Sequence, residues 1–197
     1  AEGEVVLRRP FSWSFDSGYR TYIGHFGDWG AKIQVVNTDG VRPIQFGLNT
    51  RKRTRIIFGL HTLNYGQFSE LAALDPGFKS PSLAQVDMAG DPDYEFEMTA
   101  NYPGEEISTR QVFLPEDIPP GIYLLTMAID GQQQDQIVVV LTSYSLVVKH
   151  ANEQLLVWAT AMDGNPVDDL SIRIYDSEGH HILNGITDEN GFYESPI

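Results

Sequence analysis

Residues Pro119 to His150 read PPGIYLLTMAIDGQQQDQIVVVLTSYSLVVKH. Between Ile122 and Ile129 the side chains alternate. Tyr123, Leu125, Met127 and Ile129 fall on one face, and Ile122, Leu124, Thr126 and Ala128 on the other, which is also mostly apolar. A period of two closed by Asp130-Gly131 predicts a β-hairpin. Its return strand runs into the β-branched stretch Gln136-Ile137-Val138-Val139-Val140-Leu141. Thr142-Ser143 breaks that run, and Ser145-Leu146-Val147-Val148-Lys149 resumes extended structure. A hairpin, a very short hinge and a fresh strand mark the end of one β-sandwich and the start of another. The chain is therefore read as all-β, with tandem immunoglobulin-like sandwiches joined almost without linker.

Upstream, turn signals recur about every ten residues, the spacing of a sandwich rather than of βαβ units. Strands are predicted at Ala31–Val36, Pro43–Asn49, Arg55–Leu63, Tyr94–Thr99 and Ile107–Leu114. Tyr94, Phe96 and Met98 should face the core, as should Ile44, Phe46 and Leu48. Between Tyr65 and Leu74 the period changes. Phe68, Leu71 and Leu74 stand three apart, which predicts one short amphipathic helix, stopped by Asp75-Pro76-Gly77. Lys79 to Gly90 reads as a surface loop. Near the start, Phe11, Trp13 and Phe15 alternate with Ser12 and Ser14. That aromatic face must bury against something. It fits two placements: the last strand of a preceding module, or an edge strand of the first full sandwich.

Downstream of the hinge, strands are predicted at Leu155–Met162, Ser171–Tyr175, His181–Thr187 and Phe192–Glu194. This part holds about half of the ~100 residues that an immunoglobulin-type sandwich needs. It should expose part of its core or borrow surface from its neighbour. The expected organisation is a strand or stub at residues 1–16, a sandwich at 17–142 and part of a second at 143–197.

The chain has 197 residues and a net charge of -14. Such acidity argues against nucleic acid, whose phosphates call for clustered Lys and Arg. The basic run Arg51-Lys52-Arg53-Thr54-Arg55 lies between strands and reads as a solvated turn, with an anionic docking site as the alternative. There is no cysteine, so disulfides, thiolate metal sites and cysteine nucleophiles are excluded. No apolar run approaches the ~20 residues of a membrane span, so any membrane attachment should come from an anchor outside this stretch. Ala1-Glu2-Gly3-Glu4 lacks a signal-peptide pattern, as in a mature segment or an expressed fragment.

Several of these motifs form a recognisable set. The Pro-Gly-x-Tyr strand at Pro120–Tyr123 is followed by Leu146-Val147-Val148-Lys149, Gly164-Asn165-Pro166-Val167 and Gly185-Ile186-Thr187-Asp188-Glu189-Asn190-Gly191. Together they resemble the bacterial alpha-2-macroglobulin-like proteins. Upstream, FGLNTRKRTRIIFGLHTLNYGQFSELAAL (Phe46–Leu74) looks like that family's strand, turn, strand and short helix. Phe11-Ser12-Trp13-Ser14-Phe15 is similar to the terminal strand of the preceding domain. The resemblance implies macroglobulin-like sandwiches upstream of the bait region and thioester domain of an extracytoplasmic protease trap. Such modules would be non-catalytic, with endopeptidases engaged through the full-length protein and neighbouring domains of the same chain as contacts.

The residues themselves present no nucleophile, base and orienter set, and the expected catalytic, cofactor and metal residues are none. Some candidates were weighed against plainer readings. Asp87, Asp91, Asp93 and Glu95 resemble a calcium ladder but lack the ligand order and glycine of an EF-hand. His180-His181, near Asp176 and Glu178, should point to opposite faces of a strand. His61 reads as a packed or edge histidine, and Glu105-Glu106 as a solvated turn. Tyr19, Tyr22, Trp29 and His25, with Asp28 nearby, could form a sugar-binding platform, which makes an adhesin or carbohydrate-binding module the alternative function. An unrecognised hydrolase comes third.

Overall fold

The structure, a computed structural model, describes residues 22–26, 32–50, 53–74, 90–100, 108–151, 153–176 and 180–197. The central hairpin forms as expected: β7 (Gly121–Ile129) and β8 (Gln132–Thr142) pair antiparallel. Asp130 (φ 50°) and Gly131 (φ 75°) are both left-handed. That is the type I′ combination, whose twist matches the flanking strands. The Pro-Gly-x-Tyr motif has a local reason as well. Tyr123 folds back so that its hydroxyl donates to the Pro119 carbonyl at 2.7 Å. Its ring then lies where a Cβ on residue 121 would stand only 3.2 Å away, so glycine sits there.

The hairpin is the centre of a five-stranded sheet ordered β2-β8-β7-β4-β5, completed by β2 (Ile33–Asn37), β4 (Thr54–Leu63) and β5 (Tyr94–Ala100). Facing it is a three-stranded sheet ordered β1-β3-β6, made of β1 (Tyr22–Phe26), β3 (Pro43–Thr50) and β6 (Ser108–Phe113). The core between the sheets takes Ile44, Phe46 and Leu48 from β3. It takes Ile56, Phe58 and Leu60 from β4, and Tyr123, Leu125, Met127 and Ile129 from β7. Phe58 sits among other rings, edge-on to Phe46 at 5.5 Å and stacked on Phe96 at 5.5 Å. Tyr123 is 2% exposed.

Two features had no counterpart in the sequence reading. β1 forms in a glycine-rich stretch, and Gly24 lets it lie against Met127, whose Cε would be 2.7 Å from an added Cβ. β2 pairs parallel with β8, in register Ile33 to Val138. That junction is pinned by Lys32, whose ammonium contacts both Asp135 oxygens at 2.5 and 2.7 Å. Asp135 Oδ2 also accepts from the Phe26 N–H at 2.7 Å, tying β1 to β8. The Arg42 guanidinium donates to the carbonyls of Thr38, Pro115 and Ile118, which fastens the acidic-proline loop to the sandwich.

The apolar second face of β7 is explained by α1 (Tyr65–Leu74). Leu71, with Phe68 and Ala72, covers Leu63, Leu124 and Val138 and forms a second small core on the outer side of the five-stranded sheet. The helix starts with a reciprocal cap. Gln67 N–H donates to Asn64 Oδ1 at 3.0 Å, while Asn64 N–H donates to Gln67 Oε1 at 2.9 Å.

The remaining strands form a separate group. β9 (Tyr144–Ala151), β10 (Gln154–Ala161) and β13 (Phe192–Pro196) make a sheet ordered β13-β10-β9, and β11 (Ser171–Tyr175) pairs with β12 (His181–Ile186). Their core is small: Leu155, Val157 and Ile172, backed by Leu170, Ile174, Leu183 and Tyr193. Leu146 and Val148 pair with Ala159 and Val157 and so share the core face, yet they are 52% and 60% exposed.

A single residue, Ser143, separates β8 from β9. Its hydroxyl bonds the hydroxyl of Thr38, and its carbonyl accepts from Met162 N–H at 3.1 Å. The connector is thus held from both sides. Tyr144 belongs to β9, opposite Ala161, and is 43% exposed. Residues 1–16, read as a separate strand or stub, lie outside the described residues.

Candidate functional site

Strand register builds one concave site on the outer face of the five-stranded sheet, beside the area that α1 covers. Because opposed residues in a sheet point to the same side, the register lays side chains in transverse rows. One row runs Glu95–Gly59–Thr126–Gln136, and the next Glu97–Ile57–Ala128–Gln133. Gly59 and Ala128 have little or no side chain, so the surface sinks into a cleft of about 230 Å³. His61, Glu95, Gln133 and the Gly90–Pro92 segment form its rim. Gly59 is required by its neighbours: an added Cβ would come within 2.9 Å of Thr126 Oγ1 and 3.2 Å of Pro92.

The polar groups of the cleft are partly committed to the fold. Thr126 Oγ1 donates to the Gly59 carbonyl at 3.1 Å, and Gln133 Nε2 donates to Gln136 Oε1 at 3.0 Å. The Thr126 hydroxyl proton therefore stays on the backbone and is not aligned with His61 as a nucleophile would be. Next along the chain from the lining residues His61 and Pro92, Asp93 Oδ2 accepts from the Thr62 N–H at 2.6 Å. That backbone hydrogen bond holds the Asp93 carboxyl below its ordinary value. The arrangement offers polar contact to a small group.

The candidates picked from sequence mostly diverge. Of the acidic ladder, Asp87 lies outside the described residues, Asp91 is exposed, Asp93 is committed to Thr62 and Glu95 sits at the rim of the cleft. Among the described residues no group of three or more His, Asp or Glu side chains converges on a point where a metal could sit. His180 pairs with Asp176 at 3.1 Å, whereas His181 bonds Asn184 at 2.7 Å and stands edge-on to Tyr175. The two histidines serve different neighbours. The His25 ring packs over Gly47, where any Cβ would collide with it. Tyr22 falls in β1, while Tyr19, Asp28, Trp29, Glu105, Glu106 and Glu178 lie outside the described residues. In the basic run, Arg53 is exposed, Thr54 is buried against Thr50 and Arg55 pairs with Glu97. Arg51 and Lys52 are not among the described residues.

The sequence reading noted His61 only as a packed or edge histidine and Glu95 only within the acidic ladder, and did not single out Gly59, Thr126 or Gln136. A signal existed for all three. A glycine inside a strand often marks close approach of another group, and a lone Thr or Gln within an apolar face marks a polar spot on it.

No protein-family model and no curated protein matches the chain. Solved structures do. The chain is similar to native alpha-2-macroglobulin from Escherichia coli spanning domains NIE-MG1, with 14% identity and a TM-score of 0.63, over 90% of this chain and 88% of that one. Against the three-domain MG0-NIE-MG1 piece of that protein the TM-score is 0.63 at 12% identity, covering 89% of this chain and 57% of the other. Against trypsin-activated alpha-2-macroglobulin from Escherichia coli it is 0.60 at 13% identity, over 88% of this chain but only 12% of that one. At such identities the likeness speaks for the fold. This chain has the all-β macroglobulin-like sandwich fold seen in bacterial alpha-2-macroglobulins.

Proposed function

We propose that this chain is a non-catalytic pair of scaffold modules within an extracytoplasmic protease trap of the alpha-2-macroglobulin type. The observation that supports it most is the joint match of both sandwiches, over 90% of the chain, to the NIE-MG1 pair of the Escherichia coli protein. The architecture suits the role. A large sandwich with a capped outer helix and a single-residue joint can carry neighbouring domains without chemistry of its own. Endopeptidases would then be engaged by other parts of the longer protein. A carbohydrate-binding module is less well supported. His25, one of its four residues, packs over Gly47 instead of presenting its ring to a ligand.

The test uses the longer protein that contains this chain, incubated with trypsin and separated by size. On this reading trypsin co-migrates with it and still cleaves a small chromogenic substrate but not a large protein. The 197-residue chain alone should leave trypsin activity unchanged. Free migration of trypsin, or inhibition by the isolated chain, would each overturn the scaffold reading.

A further inference from the structure

The Ser143 connector is not the only contact between the two groups of strands. Tyr65, the first residue of α1, stacks on Tyr175, the last residue of β11, with ring centroids 4.2 Å apart and planes 25° from parallel. The two residues are 110 positions apart in the chain, one on the outer helix of the first sandwich and one in the second. Tyr175 is itself held from its far strand, since His181 stands edge-on to it at 5.6 Å and is fixed by its bond to Asn184. Tyr65 is 39% exposed even with the stack formed. A joint bonded at Ser143 alone leaves rotation about that point, and a second contact at another place removes it.

We propose that Tyr65 and Tyr175 form a releasable clasp that, with Ser143 as the pivot, sets the angle between the two sandwiches. The clasp is made of partly exposed rings and no buried core residue, so it can open without unfolding either module. A stack of two part-exposed rings is weak enough to open, and its closure fixes the direction in which the second sandwich projects. This inference concerns the chain's own geometry and stands whether or not the longer protein traps proteases.

Because the chain has no cysteine, two engineered ones label uniquely. Glu70→Cys on α1 and Arg173→Cys on β11, both exposed, carry spin labels for pulsed-dipolar distance measurement on the whole 197-residue chain. The parent should give one narrow distance distribution. Tyr65→Ala and Tyr175→Ala should each raise the open-to-closed ratio about two- to tenfold, the range an aromatic pair supplies. Tyr65→Phe should keep the narrow distribution. The Tyr65→Ala/Tyr175→Ala double variant should match the singles, because both remove the same contact. Unchanged distributions in both single alanine variants, or a double variant whose effects add, would overturn the clasp. Circular dichroism of each variant confirms that both modules remain folded.

Discussion

The Tyr123 hydroxyl donates to the Pro119 carbonyl at 2.7 Å, closing a loop of five residues at the entry to the central strand. This one bond links the Pro-Pro-Gly turn to the buried stripe of β7 and sets which face of the hairpin enters the core. Replacing Tyr123 with Ala should cost about 3–5 kcal/mol, as for other buried aromatics. Tyr123→Phe removes only the hydrogen bond and should cost on the order of 1 kcal/mol. Denaturant titration of the two variants checks the order. Equal losses would mean that the ring contributes nothing beyond its hydroxyl.

Burial, and secondarily the nearby Tyr94, pushes the Tyr123 hydroxyl pKa above its ordinary 10.0. The folded state then resists ionisation that the unfolded state accepts. The sandwich's stability should therefore be fully present below pH 10 and decline as pH rises through the raised value. Tyr123→Phe should flatten part of that decline. A denaturation midpoint with the same alkaline slope in both proteins would show that other groups control it.

Asp93 has the opposite sign. The Thr62 N–H stabilises its charged form and lowers its pKa below 3.8, so its contribution is present above that value and is lost as pH falls through the lowered one. Asp93→Asn should reduce the acid sensitivity of the midpoint, and acid titration followed by circular dichroism reads it directly.

Lys32 and Asp135 form a largely buried pair that also holds the Phe26 N–H. Asp135→Ala strands the ammonium and the Phe26 N–H, and should cost about 3–5 kcal/mol, whereas an apolar replacement of both partners should cost much less. Amide exchange would report the damage first at β1 and β2, the strands this carboxylate ties to β8. A loss spread evenly over the sandwich would contradict that assignment.

In the second group, the Tyr193 ring lies over Gly185 and its hydroxyl donates to the Asn184 carbonyl at 2.9 Å. Gly185→Ala drives a methyl into that ring and should destabilise the group by about 1–3 kcal/mol, the usual cost of overpacking. Hydrogen exchange should accelerate across β10 to β13 while β7 and β8 stay protected. Faster exchange in the central hairpin as well would mean that the two groups unfold as one unit.

The sequence by itself determined what depends on neighbours along the chain. Alternation marked β7 and β5, the β-branched run Ile137–Leu141 marked β8, Asp130-Gly131 fixed the hairpin turn, and the change of period from Phe68 to Leu74 located α1 within its observed bounds. These signals are local because a turn or a helical stripe is satisfied within a few residues. Only the tertiary structure decided what lies far apart in sequence. It placed β1 against Met127, set β2 parallel to β8, and aligned Glu95, Gly59, Thr126 and Gln136 into one row. It also brought Tyr65 onto Tyr175, while Tyr144, beside the joint in sequence, faces solvent. Register and inter-module contact come from packing many side chains at once, and no short stretch encodes which distant partner will stand opposite.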